Sequence, residues 1–571
     1  MTDGLNISRD ACIAYFSMEI GLEASIPTYS GGLGMLAGDT IRSAADLAIP
    51  MVVVSLVHRK GYFHQRLDET GWQTEEPVDW APGDYLQELK KQVCVEIEGR
   101  EVHIRAWKYE ITGVSGFKIP VYLLDTDLSL NNDVDRTLTH YLYGGDLYYR
   151  LCQEVVLGIG GVKMLRALGH EHVTRFHMNE GHASLLILEL LSEIADRNGE
   201  THINDLHVEE IKKLCVFTTH TPVPAGHDKF PLDLTYRVLG KNSPFCDKQE
   251  AFCYEGVLNM THLALEYSHY VNGVAKSHKQ TSQKMFGQHP IDSITNGVHV
   301  ATWASSHYQQ LFDQHIPGWR EDAASLRYAL NIPKEEIWQS HRNAKRDLLE
   351  YVNRETNAGM HLDYFTIGFA RRATPYKRPD LIFHQLERLI QMNNTVGKIQ
   401  IIFAGKAHPH DGQGKELIQN IHRIQHLLKG QIKLVYLEEY DMALGRLMTA
   451  GTDVWLNTPQ PPMEASGTSG MKAAVNGVPS FSVLDGWWVE GCIEGVTGWA
   501  IGKMNGKHTP PPERDKVAAA LYEKLESTIL PMFYHEKDKY IEIMRHAIAL
   551  NASFFNTERM LGQYITKAYF K

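Results

Sequence analysis

Short apolar runs alternate with helical spacing through the first half of the chain. An apolar run of four to eight residues is typical of a buried strand, and a 3.6-residue apolar spacing is typical of an amphipathic helix. Buried strands are predicted at residues 13–20, 51–57, 121–124, 173–178, 214–219, 270–274 and 291–295. Residues 92–110 alternate around Glu98-Gly99 and predict a hairpin. We therefore expect an α/β domain with a mostly parallel sheet, whose loops gather at the carboxyl edge of the strands.

The second half repeats this alternation after a helical, charged connection at residues 304–359. Strands are predicted at residues 364–370, 398–405, 432–437 and 453–456, and helices at residues 379–392, 415–429 and 441–450. This rhythm indicates a second doubly wound, Rossmann-like domain. We place the two domains at residues 1–303 and 304–571, facing each other across a cleft, with the last helix packing back on the N-terminal domain.

Composition narrows the class of protein. The 571 residues exceed what one hydrophobic core usually holds, and the 43% hydrophobic and 22% charged content suits a soluble globular enzyme. The sequence has no long apolar run and no apolar leader, so we expect no membrane span and a cytoplasmic location. The net charge of −11 disfavours nucleic-acid binding. The seven cysteines form no C-x-x-C pair and predict reduced thiols.

A loop rich in small residues opens a helix at residues 463–485, which read MEASGTSGMKAAVNGVPSFSVLD. Small side chains let backbone N–H groups approach an anion, and a helix N-terminus adds its positive dipole end. Lys472 lies in the first turn, where a cation opposes the dipole and needs a partner. That partner is either an anionic ligand or a phosphorylated cofactor bound as a Schiff base. The alternative is a solvated lysine on an ordinary glycine-capped helix.

A cationic segment, RRATPYKR at residues 371–378, directly follows the first strand of the second half. Its four cations could belong to a solvated surface loop. Loops that follow neighbouring parallel strands lie side by side, however, so this segment can meet the loop at residues 464–472. Arginine forks beside a backbone cradle could hold two phosphates close together, one from a cofactor and one from a substrate.

Polar clusters follow three strands of the first half, at residues 177–182, 219–227 and 295–303. Their histidines lack the one-face spacing of H-E-x-x-H, so we predict no metal there. His220 ends a strand, where a neutral imidazole could bond a substrate hydroxyl. Glycines at positions 31, 32 and 34 lead into a helix and could cradle an anion or simply allow tight packing.

Taken together, these motifs resemble those of the α-glucan (glycogen, maltodextrin) phosphorylases. EASGTSGMK is similar to the family's pyridoxal-phosphate lysine motif, SGGLGMLAGD to its glycine loop, RRATPYKR to its phosphate-binding cluster and TNGVHVATW to its sugar-binding strand end. The motifs occur in family order from residue 15 to about residue 490. The resemblance implies two Rossmann-like domains of the GT-B glycosyltransferase architecture and a homodimer. It also implies the loss of the N-terminal regulatory segment, because the first strand begins near residue 13.

The resemblance assigns roles residue by residue. Lys472 would carry pyridoxal 5'-phosphate in a Schiff base. The cofactor would also contact Gly467, Thr468, Ser469, Arg371, Tyr440 and Trp303. Orthophosphate would be held by Arg372, Lys377 and the backbone at Gly32 and Leu33. The transferred glucosyl unit would contact Glu464, Ser466, Asn296 and His220, with Glu19 beside it, and the glucan would pass Asn179, Glu180 and His182. Departures from the family are Arg371-Arg372 in place of Lys-Arg, Ser469-Gly470 in place of Gly-Asn, and Thr219 in place of asparagine.

The implied reaction is reversible phosphorolysis of the terminal α-1,4 bond of a glucan, giving α-D-glucose 1-phosphate with retention. Two other readings stay open: a nucleotide-sugar-dependent glucan synthase, whose class shares two facing Rossmann-like domains, and a non-catalytic glucan-binding protein. The first needs no pyridoxal phosphate. The second predicts carbohydrate affinity without orthophosphate-dependent release of glucose 1-phosphate.

Overall fold

Two large sheets organise the chain. The computed structural model describes residues 12–223, 226–240, 252–287, 289–503 and 513–570. The strands are β1 Cys12–Ser17, β2 Met51–Leu56, β3 His64–Leu67, β4 Gln73–Glu76, β5 Gln87–Ile97, β6 Arg100–Thr112, β7 Lys118–Asp125, β8 Val173–Asn179, β9 Cys215–Thr218, β10 Lys229–Pro231, β11 Cys253–Tyr254, β12 Val257–Asn259, β13 Tyr270–Gly273, β14 Asp292–Ser293, β15 Phe365–Ala370, β16 Ile399–Ala404, β17 Lys433–Leu437, β18 Val454–Asn457, β19 Ser480–Val483 and β20 Gly498–Ile501. The fold class is thus α/β, as predicted.

The N-terminal sheet has nine strands in the order β14-β13-β9-β8-β1-β2-β7-β6-β5. Its pairs are parallel except for the hairpin β5-β6 and the pair β6-β7. The central strand β1 is buried on both faces between its neighbours β2 and β8, which explains its continuous apolar run. This strand was predicted to reach residue 20 but ends at Ser17. The apolar pattern continues because Ile20 and Leu22 are buried in the following loop.

Helices cover both sheets. They are α1 Gly32–Asp46, α2 Leu147–Val155, α3 Gly161–Ala167, α4 Leu186–Asn198, α5 Asp205–Leu214, α6 Leu232–Leu239, α7 Met260–Glu266, α8 Lys276–Met285, α9 Val300–Trp303, α10 Ser306–His315, α11 Lys334–Thr356, α12 Leu386–Thr395, α13 Gly412–Leu427, α14 Met442–Gly451, α15 Ser469–Val475, α16 Trp488–Gly491, α17 Arg514–Lys524, α18 Leu530–His535, α19 Lys537–His546 and α20 Thr557–Tyr564. The helix predicted at residues 379–392 is a 3₁₀ turn, Pro379–Phe383, followed by α12.

The C-terminal sheet is entirely parallel, with the strand order β17-β16-β15-β18-β19-β20. The order reverses direction on either side of β15 and β18, as in a doubly wound domain. The sequence predicted β15 to β18. It missed β19 and β20, because each has only four residues and lies in a segment rich in glycine and aromatic residues.

The last helix returns to the N-terminal sheet. Tyr569 Oη lies 2.7 Å from Nδ1 of His177 in β8, and Tyr564 Oη lies 2.9 Å from Thr218 Oγ1 in β9. Both tyrosines are buried, and Met560, Leu561 and Ala568 join the same apolar cluster as β1, β2 and α1. The boundary at residue 303 stays a prediction.

Two expectations concern what the chain lacks, a membrane span and disulfides. Across the ranges that the structure describes, no helix has the length and apolar character needed to cross a bilayer. Free thiols are found at Cys94, Cys152, Cys215, Cys253 and Cys492. Cys246 lies outside the described residues.

A buried ion pair joins the start of β18 to α11. Asp453 Oδ2 accepts from Lys345 Nζ (2.6 Å) and from the backbone N–H of Thr366 (2.7 Å), and Oδ1 lies 2.8 Å from His341 Nε2. These partners keep the pKa of the Asp453 carboxyl low despite its burial. The carboxylate therefore locks α11 to β15.

We expect Asp453→Ala to lower the free energy of unfolding by about 3–5 kcal/mol, because it leaves the Lys345 ammonium buried without its counter-charge. Urea denaturation followed by circular dichroism measures this change. Asp363→Ala is the matched control, since its side chain is 64% exposed and pairs with Arg342 at the surface; that change should cost less than about 1 kcal/mol. Equal costs for the two variants would contradict the proposed lock.

Candidate active site

The candidate site lies where the carboxyl edges of the two sheets meet. Loops that follow β1, β8 and β9 bring polar groups from one sheet, and loops that follow β15, β17 and β18 bring polar groups from the other. Direct contacts join the two sides: Lys406 Nζ donates to the Phe63 carbonyl (2.9 Å), and Met442 N donates to Tyr29 Oη (3.1 Å). Ligand sites in open α/β sheets occupy this kind of edge.

Lys472 is buried at the centre of this region. It lies in α15, a helix of seven residues, and only 7% of the residue is exposed. Its Nζ lies 3.5 Å from the centroid of the Trp303 ring, a cation–π distance. Burial lowers the pKa of the amine from 10.5 to about 8. The predicted alternative, a solvated lysine on a capped helix, is therefore wrong. The amine loses its proton closer to neutral pH than an ordinary lysine does.

Two charges that the sequence analysis did not single out flank this amine. Asp39 raises the pKa of Lys472 and Arg446 lowers it, each by a smaller amount than burial does. Asp39 is 1% exposed, lies in α1 and accepts a hydrogen bond from Trp303 Nε1 (2.7 Å) through Oδ2. Its Oδ1 has no hydrogen-bond partner within the described structure. Asp39 thus positions the indole on which the lysine rests.

The cationic segment meets the small-residue loop through Glu464. The Glu464 Oε2 atom lies 2.7 Å from Arg371 Nη2 and also accepts from Lys377 Nζ. Although burial opposes ionisation, these two cations hold the pKa of the carboxyl at about 2. Glu464 thus pairs with two of the three cations Arg371, Arg372 and Lys377, and Glu19 lies near the third, so these groups keep a surplus of one positive charge.

Arg372 lies near groups of the N-terminal half, among them Glu19 and Tyr143, and keeps solvent exposure. Loss of water around the guanidinium opposes its charge, but the neighbouring groups, Glu19 among them, raise its pKa overall. A cation that solvent can reach and that protein groups line is suited to binding an anionic ligand.

Glu19 is held from the other side of that cleft. Its carboxylate accepts from the backbone N–H groups of Ser30 (2.6 Å) and Gly31 (3.1 Å) and from Tyr143 Oη (2.9 Å). Glu19 therefore shapes the glycine loop. Beside it, Gly32 is exposed and Leu33 is half-buried at the start of α1, so the backbone there stays open to the cleft.

His220 is fixed by a chain of hydrogen bonds across three strand ends. Its Nε2 lies 2.6 Å from Asn179 Oδ1, and Asn179 Nδ2 donates to Ser17 Oγ (3.0 Å). Since an amide oxygen only accepts, the proton lies on Nε2 and Nδ1 is left as an acceptor. Burial lowers the pKa of His220 to about 4, so the imidazole is neutral at physiological pH, as the sequence predicts.

Glu180 and His182 organise the adjoining loop. Glu180 has a left-handed backbone (φ 73°), and its Oε2 accepts from the His220 backbone (2.8 Å) and Thr221 Oγ1 (3.0 Å). His182 Nε2 lies 3.4 Å from Asp228, which is paired with Arg150. A non-glycine residue in this conformation costs of the order of 1 kcal/mol and is retained where the surroundings demand it. The side chains of Glu180 and His182 thus lie beside His220 and Asp228, and both are bound to protein groups.

Buried polar atoms without partners gather at the small-residue loop. Within the described residues, Ser466 Oγ, Asn457 Oδ1 and Asn296 Oδ1 accept or donate no hydrogen bond. Gly467 has φ 74°, and a Cβ there would lie 3.3 Å from Glu464 Oε1 and 3.5 Å from Arg371 Nη2. Ser466 Oγ and Asn457 Oδ1 line one cavity with Gly467, so their unused hydrogen-bonding capacity is available to a ligand there.

The remaining predicted residues lie at the margins of this cradle. Tyr440 is half-buried, and a Cβ on Gly445 would lie 3.3 Å from Tyr440 Oη and 3.7 Å from the Trp303 ring. Thr468 is the N-cap residue of α15, without a side-chain cap bond. Ser469 Oγ accepts from Trp455 Nε1 (3.0 Å), so this hydroxyl has a protein partner. The structure thus brings the predicted residues together in three groups: Arg371, Lys377, Glu464 and Gly467; Lys472, Trp303 and Tyr440; and His220, Asn179 and Glu180.

Two facing doubly wound sheets with a polar cleft at their carboxyl edges define a glycosyltransferase of the GT-B architecture. Residues 163–498 match the family model described as carbohydrate phosphorylase. The maltodextrin phosphorylase of Thermococcus litoralis is 39% identical to the chain, over 98% of this chain and 70% of the relative. The glycogen phosphorylase of Aquifex aeolicus is 35% identical over 98% and 86%, and that of Mycobacterium tuberculosis 35% identical over 98% and 70%. The chain belongs to the carbohydrate phosphorylase family, as the resemblance predicted.

Proposed function

We propose that this enzyme uses orthophosphate to cleave the terminal α-1,4 bond of a glucan and releases α-D-glucose 1-phosphate with retention. The observation that carries the proposal is the cation set Arg371, Arg372 and Lys377, which outnumbers the carboxylates Glu464 and Glu19 and meets, through Glu464, the loop that leads to the buried Lys472. Burial lowers the pKa of the Lys472 amine to about 8. Cations in excess of carboxylates favour oxyanions, and two phosphates held together need such an excess. The names of the relatives agree with this reaction.

The residues around Lys472 fit pyridoxal 5'-phosphate. A buried amine with a lowered pKa suits covalent attachment of a carbonyl cofactor, and the flat Trp303 ring lies against it. The unpartnered Ser466 Oγ offers a polar contact, and Gly467, where a side chain would press on Glu464 and Arg371, leaves its backbone accessible next to Arg371. When bound, the cofactor supplies a phosphate group that exchanges a proton with the substrate phosphate.

Within this proposal the chain's own residues divide the binding work. Around the cofactor, Arg371 supplies charge for its phosphate, the backbone at Gly467, Thr468 and Ser469 lines the cradle, and Tyr440 and Trp303 enclose the ring. Arg372 and Lys377 hold orthophosphate against the backbone at Gly32 and Leu33. Orthophosphate gives a proton to the glycosidic oxygen as the bond from that oxygen to the anomeric carbon breaks, and a phosphate oxygen then bonds to that carbon. The cations stabilise the charge that develops on phosphate.

Several polar side chains, beginning with the neutral imidazole of His220, are available to bind the glucosyl unit. His220 offers Nδ1 as an acceptor for a glucosyl hydroxyl, and Asn296 and Ser466 offer unpartnered polar atoms. Glu464, with its carboxylate ionised, accepts from a hydroxyl as well as from its cations. Glu19 lines the same space, and Asn179, Glu180 and His182 lie along the path for the glucan. A homodimer and a cytoplasmic location stay predictions.

One assay tests this function. The protein is incubated with maltoheptaose and orthophosphate and scored for glucose 1-phosphate, with a matched sample stripped of pyridoxal phosphate. Activity that depends on both orthophosphate and the cofactor supports the proposal. Activity with a nucleotide sugar instead would favour a synthase, and carbohydrate binding without glucose 1-phosphate would indicate a binding protein.

Cofactor loading should depend on pH in a specific way. The attacking group is the free amine of Lys472, so the rate at which stripped protein takes up pyridoxal phosphate should rise about tenfold per pH unit below pH 8 and level off above it. Stopped-flow absorbance measures this rate. In Asp39→Asn the level region should begin at a lower pH, because Asp39 raises the pKa of the amine. A rate that keeps rising beyond pH 9.5 would mean an ordinary lysine.

A further inference from the structure

Two histidines and a glutamate converge away from the residues discussed above. His262 and Glu266 are one helical turn apart on α7, and His289 comes from the segment that leads to β14. Glu266 Oε1 lies 4.0 Å from His262 Nε2 and 3.5 Å from His289 Nε2. One candidate ligand atom of each residue lies within 4.8 Å of the other two. The sequence predicted no metal in this protein, and that prediction weighed only the histidines at positions 177 to 227.

These spacings match a tetrahedral metal centre. Zinc binds histidine nitrogen and carboxylate oxygen at about 2.0–2.2 Å, which places two ligands of a tetrahedron about 3.4 Å apart. The observed distances of 3.5 and 4.0 Å, within a set that spans at most 4.8 Å, are longer than that value, so the side chains would close on the metal by rotation. Calcium and magnesium prefer sites built of oxygen ligands, so two imidazoles select a transition metal or zinc.

The ligand groups are held before any metal binds. The His262 and His289 rings meet edge to face, with centroids 5.6 Å apart, and Tyr254 packs on His262 at 4.5 Å. Gln283 Nε2 donates to the His289 carbonyl (2.9 Å) and fixes the backbone of that residue. The side chains of His262 and His289 are 18% and 14% exposed, and that of Glu266 is 38% exposed. The cluster is therefore preformed and reachable from solvent.

The charge of the ligand set also suits a metal. The carboxylate supplies one negative charge, so the metal would carry a net positive charge and keep a fourth position for water.

We propose that His262, Glu266 and His289 form a binding site for Zn²⁺ or a similar divalent transition metal, which clamps α7 to the segment before β14. The opposite end of α7 supports the candidate active site: Met260 N donates to the Asp228 carbonyl (3.2 Å), and Ser184 Oγ donates to the Met260 carbonyl (2.7 Å). A metal at the far end of this helix stiffens the platform under the loop that holds His182.

Metal titration tests the site directly. Full-length protein treated with EDTA and dialysed is titrated with ZnCl₂ in competition with a chromophoric chelator. Glu266→Gln and His289→Gln should each weaken zinc binding at least tenfold, because each removes one of three ligands. His422→Gln is the matched control: it breaks another pair of helical histidines, whose ring centroids lie 4.8 Å apart, but which has no third ligand in the described structure. It should leave the tightest zinc site intact.

A spectrum separates this site from adventitious ligands. Co²⁺ should give the intense visible bands of a tetrahedral centre, without a thiolate charge-transfer band, and these bands should be lost in Glu266→Gln. Circular dichroism checks that the variants are folded, and the exposed Glu266 makes its substitution well tolerated. Unchanged zinc affinity in folded Glu266→Gln and His289→Gln, or a loss confined to His422→Gln, would overturn the proposal. Neither readout requires the phosphorolysis reaction.

Discussion

Replacement of Lys472 by alanine should abolish both retention of the cofactor and glucan phosphorolysis. The variant removes the amine to which pyridoxal phosphate attaches, so glucose 1-phosphate formation should fall by roughly 10³-fold or more. The variant also removes the cation that rests on the Trp303 ring. Absorbance of the purified protein beyond the aromatic region reports bound cofactor, and an orthophosphate-dependent assay reports turnover.

Lys472→Arg separates charge from attachment. Arginine keeps a cation over Trp303 but has no amine of suitable pKa. It should therefore also lose the cofactor absorbance and turnover. Its unfolding temperature should be closer to that of the unaltered protein than the unfolding temperature of the alanine variant is. Full turnover in either variant would remove Lys472 from the proposed mechanism.

Replacement of Lys377 by alanine should lower kcat by about 10²- to 10³-fold and leave the cofactor bound. The ammonium is one of the two cations assigned to orthophosphate, and a lost donor to developing charge costs about 3–4 kcal/mol of transition-state stabilisation. Saturation with orthophosphate should require a higher concentration. Steady-state kinetics with varied orthophosphate gives both quantities, and the visible absorbance shows whether the cofactor remains.

Lys415→Ala is the matched control for this variant. The side chains of Lys415 and Lys377 are 11% and 9% exposed, and each pairs with a glutamate, Glu75 for Lys415 and Glu464 for Lys377. Lys415 contacts no group assigned to the reaction. If both alanine variants reduced kcat to the same degree, general loosening of the cleft would explain the result, and Lys377 would have no specific role.

The sheets were predictable because their central strands are buried on both faces. Strands such as β1, β2 and β15 are buried on both faces, so their sequences are continuous apolar runs of strand length. Such runs predict buried parallel strands. The rule that loops meet at the carboxyl edge then predicted that residues 371–378 and 464–472 would lie together. The contact of Glu464 with Arg371 and Lys377 confirms that meeting.

Other parts of the site could not be predicted from local patterns. Asp39 lies within a helix whose sequence is typical of a packed core, and its contact with Trp303 joins positions 264 residues apart. Arg446 lies in α14 and acts on Lys472 through space. Such long-range electrostatic partners leave no periodic signal. The only available hint was a carboxylate in an otherwise apolar segment, GMLAGD.

The hydrogen bonds from Tyr564 and Tyr569 to the N-terminal strands have a consequence for biosynthesis. Residues 177 and 218 leave the ribosome hundreds of residues before these tyrosines do, so His177 and Thr218 gain these partners only after residues 564 and 569 have been synthesised. Until residues 560–569 are made, the apolar residues of β1, β2 and α1 that they cover stay exposed in the nascent chain. Exposed apolar surface of this kind is what chaperones bind.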